Sequence, residues 1–228
     1  MSLSREGKRY RSARTRATAM ATAASLAALA VGLAAPARAV AAAPDTRGFS
    51  LAAMLQSTHI NSEDERTDAT PGSVFVGEQG VGVVVALGYG FTPEFATRIV
   101  LSGASHETSD PDIDVQFGAG TIEAAYLFRA GAPFRPYLFG GVGGYSLESQ
   151  KDAFRFETTG PGVTLGGGLL YFVSEHVGLD AALHLDFINW EKRTAEIEGP
   201  TGSTVIVETP IEEEGGAARF AFGLGWWF

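Results

Sequence analysis

Large apolar residues stand at every second position through much of this chain. From Phe220 to Phe228 the even positions carry Phe220, Phe222, Leu224, Trp226 and Phe228, and the odd positions are mostly small. From Val177 to Phe187 the odd positions are all apolar, while the even ones carry Gly178, Asp180, Ala182, His184 and Asp186. Successive side chains of a strand point to opposite faces, so this alternation predicts strands. The same reading places strands at 49–61, 73–91, 95–107, 114–130, 134–149 and 159–174, and with 177–192 and 216–228 the count is eight. The connections alternate in length. Thr92-Pro93-Glu94, Gly131-Ala132-Pro133 and Glu175-His176 are tight turns, whereas 62–72, 108–113, 150–158 and 193–215 are longer and charged. Tight turns gathered at one end predict an up-and-down antiparallel barrel.

Which face of that barrel is oily decides its solvent. Arg98, Glu123, Asp180, His184, Asp186 and Arg219 share one face of their strands. The opposite face carries apolar rows: Val177/Leu179/Leu183/Leu185, Ile99/Leu101, Ile122/Ala124/Tyr126/Phe128 and Phe220/Phe222/Leu224/Trp226. Gly82, Gly88, Gly90, Gly166, Gly168, Gly223 and Gly225 also lie on the charged face. A soluble lipocalin-type barrel turns its oily face inward and gains nothing from bare glycine towards water, whereas a narrow lumen needs small residues to close. Tyr89, Phe91, Phe95, Phe128, Phe134, Tyr171, Trp226 and Phe228 gather near strand ends, as an interfacial girdle does. The reading is all-β: an eight-stranded antiparallel up-and-down transmembrane β-barrel with lipid outside.

The inward charges are then expected to pair, because unpaired charge in a confined interior is costly. Asp186 and Arg219 each lie nine residues from the tight-turn end of neighbouring strands, so they are expected at equal height. Arg98 and Glu123 are expected about four residues apart in height, a gap that strand stagger closes. Asp180 and His184 join the network from the seventh strand.

Before Val40 the pattern changes. Arg5, Lys8, Arg9, Arg11, Arg14 and Arg16 stand against a single Glu6, an Ala/Leu/Val-rich stretch runs from Ala17 to Ala35, and Pro36 and Ala37-Arg38-Ala39 follow. Charged start, apolar middle and small-x-small site are the three parts of a secretory signal peptide. Residues 1–39 are expected to be removed, with Ala43 as a later site, leaving 40–228 as the barrel. A permanent anchor would need a more apolar stretch than one built mostly of alanine.

The chain has 228 residues, a formal charge of −9 and no cysteine. Residues 40–228 carry ten basic against 25 acidic side chains, a net −15 that disfavours a nucleic-acid partner. The absence of cysteine excludes disulfide scaffolds, Cys-ligated zinc, iron–sulfur clusters and thiol nucleophiles. Hydrophobic residues at 45% and aromatics at 11% exclude intrinsic disorder.

Candidate chemistry is sparse. Gly140-Gly141-Val142-Gly143-Gly144 lacks the Lys-Ser/Thr of a phosphate loop and lies within a strand. His59 has Ser57 and Ser62 nearby, and His106 has Ser102, Ser105 and Glu107, but neither forms a close His-x-Ser pair with a placed acid, as a lipid-modifying enzyme would need. Asp110-Pro111-Asp112-Ile113-Asp114 spaces carboxylates as a calcium loop does, without its glycine and distal glutamate. Together with Glu63-Asp64-Glu65 and Glu212-Glu213-Glu214 it reads as solvated, self-repelling loop, able at most to hold divalent cations weakly. No cofactor is expected.

Pro136-Tyr137-Leu138-Phe139-Gly140-Gly141-Val142-Gly143 is similar to the Pro-Tyr-x-x-x-Gly-x-Gly strand of the small outer-membrane β-barrel proteins, the OmpA/OmpX-like and opacity-type group. Gly166-Gly167-Gly168-Leu169-Leu170-Tyr171, the turn Ser174-Glu175-His176 and the strand Val177–Phe187 follow in that group's order. Phe220, Phe222, Leu224, Trp226 and Phe228 resemble the C-terminal signal read by the barrel-assembly machinery. The resemblance implies an outer-membrane protein in contact with lipid and lipopolysaccharide, without catalysis, acting structurally or through acidic surface loops. A narrow pore or carrier for small apolar molecules is the alternative, and a lipid A-modifying enzyme the third reading.

Overall fold

The computed structural model describes residues 44–62, 76–108, 113–151, 154–198 and 204–228. Eight strands follow in chain order: β1 Gly48–Ser62, β2 Val76–Gly90, β3 Phe95–Thr108, β4 Asp114–Leu127, β5 Phe134–Lys151, β6 Phe154–Phe172, β7 Val177–Glu198 and β8 Thr204–Trp227. Each pairs antiparallel with its neighbours, and β8 closes onto β1, with Ser50 opposite Trp227 and Ser62 opposite Gly215. The expected fold class is the observed one.

Three tight connections mark one end. Thr92 Oγ1 accepts from the backbone N–H groups of Glu94 and Phe95, at 3.2 and 3.0 Å, and Ser174 Oγ accepts from that of Val177 at 3.1 Å. Between β4 and β5 the chain turns through Gly131 at φ +76°, a left-handed conformation that favours glycine.

The alternation of the sequence becomes the two faces of the wall. Leu51, Leu55, Val83, Val85, Leu87, Ile99, Leu101, Ile122, Leu183, Leu185, Leu224 and Trp226 stand on the outside and are exposed, while their chain neighbours turn inward. The outer apolar rows cover about ten residues of each strand, the length a tilted strand needs to cross a bilayer core. Phe49, Tyr89, Phe91, Phe95, Tyr126, Phe128 and Trp226 ring the tight-turn end of this band, several in edge-to-face contact.

The barrel is taller on one side. The segment 193–215, expected as a surface loop whose β-prone core at 203–207 extends the barrel as a hairpin, is mostly strand: β7 and β8 continue beyond the apolar band as a long hairpin, and β5 and β6 rise partway beside it. The register slips between Trp190 and Lys192 and between Thr159 and Gly162, so period-two counting loses its phase there. A smaller difference is a β4 that ends at Leu127, before the Arg129–Ala132 turn, while residues 73–75 at the expected start of β2 lie outside the described residues. The acidic run Glu63-Asp64-Glu65, residues Asp110 to Asp112 and residues 1–39 lie outside the described residues.

Candidate functional site: the charged lumen

The interior is layered. At the tight-turn end Ala125, Leu127, Tyr137, Phe139, Leu170, Phe172 and Ala182 form an apolar cluster, with Trp227 packed against it. At the other end Phe117, Ala119, Tyr145, Ile188, Trp190 and Ala217 form a second, and Met54, Val84, Ala86, Val100 and Ala221 fill one wall between. Charge is concentrated between the two end clusters.

Arg219 on β8 grips Asp186 on β7 with both arms of its fork, Nε to Oδ2 at 2.6 Å and Nη2 to Oδ1 at 2.9 Å. Its third nitrogen, Nη1, donates across the lumen to Ser102 Oγ of β3 at 2.8 Å. Tyr145 completes Asp186 by donating to Oδ1 at 3.1 Å. One layer nearer the turns, Arg98 Nε donates to Glu123 Oε2 at 2.6 Å, and Thr121 Oγ1 donates to Oε1 at 2.8 Å. His184 Nε2 stands 3.6 Å from the same Oε1, and Tyr137 donates to Asp180 Oδ1 at 2.7 Å. The Arg98 guanidinium also lies over the Phe139 ring, 4.4 Å from its centroid, a cation–π contact.

The β6 glycines make this arrangement possible. Three rings of β5 cross over β6 to reach three polar residues of β7: Tyr137 to Asp180, Phe139 to His184, and Tyr145 to Asp186. A Cβ at Gly168 would collide with the Tyr137 ring, and one at Gly166 with that of Phe139. Inward glycines are therefore the floor on which the aromatic bridges rest.

The tight-turn mouth is sealed by a separate polar knot. Arg135, fully buried at the start of β5, donates to Thr46 Oγ1 at 2.8 Å, to Leu127 O at 3.4 Å, to Phe128 O at 3.3 Å, and to the carbonyl of Pro93. Thr46 Oγ1 donates in turn to Pro93 O at 2.8 Å, which fixes the segment before β1 across the mouth. Between this knot and the charged layer remains a cavity of about 60 Å³ lined by Thr46, Ala86, Arg98, Tyr137 and Asp180, among others.

All six charged residues expected in the lumen face inward, but two heights differ from the counting. Arg98 and Glu123 are direct cross-strand partners, not four residues apart. Arg219 stands opposite His184 while Asp186 stands opposite Ala217, so that pair is diagonal and is closed by the reach of the arginine. The shear of the closed ring sets these heights. Spacing alone does not name Tyr137, Tyr145, Thr121, Ser102 and Arg135 as partners. Their inward parity is legible; the strand each reaches is not. His59 and His106 lie on β1 and β3 towards the long-loop end, His59 exposed and His106 buried.

Phe220, Phe222, Leu224, Trp226 and Phe228 all project from the outer face, in the apolar band. A closed eight-stranded ring with an oily exterior and a charged, aromatic-bridged interior is the form of an outer-membrane barrel. The sequence matches the profile of the outer membrane protein beta-barrel domain over residues 24–199. The chain belongs to that family. Solved outer-membrane barrels share the fold. Neisserial surface protein A aligns with a TM-score of 0.58 at 16% identity, covering 79% of this chain and 97% of that one. A major outer membrane protein from Thermus thermophilus aligns at 0.52 and 12% identity, covering 78% and 99%. The outer membrane protein OprG from Pseudomonas aeruginosa aligns at 0.50 and 14% identity, covering 80% and 97%. No curated protein matches the chain significantly. At these identities the likeness is one of fold. The profile ends at residue 199, so β8, which closes the outer-membrane barrel and supplies Arg219, lies beyond it.

Proposed function

We propose that this outer-membrane barrel is a closed, non-catalytic scaffold that holds an acidic, strand-built surface above the membrane, with residues 1–39 serving as its export signal. The observation that carries this reading is the lumen. Arg219, Asp186 and Glu123 are almost fully buried: Arg219 and Asp186 hold each other and are held by Ser102 and Tyr145, and Glu123 is held by Arg98 and Thr121, between two apolar plugs. Groups so consumed in pairing support the wall rather than a passage or a reaction. In barrels of this kind the tight turns face the periplasm and the longer connections the exterior. The tall β5–β8 side then stands outside the cell, where Glu191, Glu196, Glu208, Glu212, Glu213 and Glu214 outnumber Arg155, Lys192 and Arg193.

Two measurements test this. In planar bilayers the purified protein should show no steady conductance; a stable open level would favour the narrow pore. Lipid A from cells with and without the protein should give the same mass spectrum; a lost or added acyl chain would establish an enzyme. Entry into the membrane rests in this proposal on the outward aromatic row of β8. Phe228→Asp should lower the surface level of the protein and leave periplasmic degradation products.

A further inference from the structure

The segment just before β1 lies across the tight-turn end of the lumen, and it is built as a lid. Asp45 and Arg47 are exposed, and Thr46 between them is buried. The two exposed residues clamp each other. Arg47 Nε and Nη2 donate to Asp45 Oδ2 at 2.9 and 2.6 Å, and the Arg47 backbone N–H donates to Oδ1 at 3.0 Å. That clamp is internal to the segment, so it stiffens a short hook without tying it to the barrel. Attachment runs through one hydroxyl. Among the described residues, the hydrogen bonds between this segment and the barrel are the two of Thr46 Oγ1, which donates to Pro93 O at 2.8 Å and accepts from Arg135 Nη1 at 2.8 Å.

A hinge and a bed go with this latch. Gly48, where the hook leaves the wall, stands at φ +91°, in the left-handed region that favours glycine. The pairing of β1 with β2 begins at Gly48 opposite Gly90, so lifting residues 45–47 breaks no strand ladder. Gly90 is the bed. A Cβ there would stand 1.8 Å from Thr46 O, and its bare backbone lets the hook lie down. Beneath the hook is the cavity of about 60 Å³, which Thr46, Gly90 and Ala125 line together with the polar Arg98, Tyr137 and Asp180. One water occupies about 30 Å³ of liquid, so the space suits about two waters or a polar solute of similar size.

We propose that residues 45–47 form a lid, hinged at Gly48 and latched by Thr46, which opens the Arg98–Asp180 cavity to water and small polar solutes from the tight-turn end. Opening exchanges the two bonds of one hydroxyl for bonds to water and leaves the ring intact. At the far end the lumen stays shut behind Phe117, Tyr145 and Trp190. This goes beyond the closed scaffold by giving its lumen one door, and it rests on that scaffold for the closed far end.

The chain has no cysteine, so a single introduced thiol reports access. Ala125→Cys places one in the cavity wall and Ala217→Cys one in the far cluster, both at buried positions. The folded full-length barrel in detergent is treated with methyl methanethiosulfonate, a small neutral thiol reagent, and modification is timed by mass spectrometry. Adding Thr46→Val should speed labelling of Ala125→Cys about tenfold, the factor that one hydrogen bond to a charged group is worth, and leave that of Ala217→Cys unchanged. Thr46→Ser keeps the hydroxyl and should react at the parental rate. Gly90→Ala crowds the hook without touching the latch and should speed labelling of Ala125→Cys again. Heat-modifiable migration on gels checks that each variant is a folded barrel. An unchanged rate at Ala125→Cys in both Thr46→Val and Gly90→Ala would overturn the lid. Equal acceleration at both thiols would overturn it too, because the whole barrel would then be loosening. Fast labelling of Ala217→Cys without any lid substitution is a separate failure: it would refute the closed far end, while the lid is still judged at Ala125→Cys.

Discussion

Two ion pairs of this barrel have the same length and different weight. Arg219 Nε lies 2.6 Å from Asp186 in the lumen, with side chains 1% and 0% exposed. Lys192 Nζ lies 2.6 Å from Glu208 on the tall hairpin, with side chains 47% and 60% exposed. Attraction between exposed charges is screened by water and salt, and two long side chains must be held still to gain it. In the lumen both side chains are shut off from the surface, so an abandoned partner has no solvent-exposed face to replace what it lost. Distance is shared by the two pairs; solvent separates them. The lumen pair also belongs to a lattice with Tyr145 and Ser102, whereas the hairpin pair spans only neighbouring strands.

The largest effect should come from Arg219→Gln, which leaves Asp186 buried and uncompensated. Unfolding in urea with lipid vesicles should register a loss of about 3–5 kcal/mol. The double variant Asp186→Asn/Arg219→Gln should regain a large part of it; strictly additive losses would show that water already separates the two charges. Glu123→Gln should cost less, about 2–3 kcal/mol, because Arg98 keeps its stacking on Phe139. Tyr137→Phe removes one hydrogen bond to the Asp180 carboxylate and should cost about 1–2 kcal/mol in the same assay. Lys192→Ala should change stability by less than about 1 kcal/mol, and molar salt should abolish the difference. A salt-resistant loss comparable to that of Tyr137→Phe would break the contrast between the regions.

The smallest effect lies at the turn end, outside the membrane. The Arg47 guanidinium holds the exposed Asp45 carboxyl below its ordinary value of 3.8. A carboxylate lowered by folding contributes stability above its unfolded pKa and loses it as pH falls through the lower folded value. Asp45→Asn should therefore be slightly less stable than the parent at neutral pH, with the difference closing below pH ~4.

The inward or outward sense of a side chain is legible because it is local. Neighbours on a strand point apart whatever surrounds them, so Arg98, Glu123, Asp180, His184, Asp186 and Arg219 can be assigned to one face from spacing alone. The glycines opposite the apolar rows carry the second message, that the charged face is the narrow one. Counting fails where the local rule is interrupted. At the slips near Trp190 and Thr159 the alternation loses phase, and Pro210 and Gly215-Gly216 imitate a loop, so the upper parts of β7 and β8 resemble a connection.

Contact across the barrel belongs to the closed ring. Nothing near Tyr137 names Asp180, two strands away, and nothing near Arg219 names Ser102 on the far wall. Those meetings depend on shear, and the bare backbone of Gly166 and Gly168 leaves room for the bridges over β6. Alternation along each strand settled the face of each charge, and with the connection lengths and the inward glycines it settled fold class and solvent, because all of these are read from residues near one another in the chain. Partner and height awaited closure, because they depend on the relative positions of strands far apart in the chain.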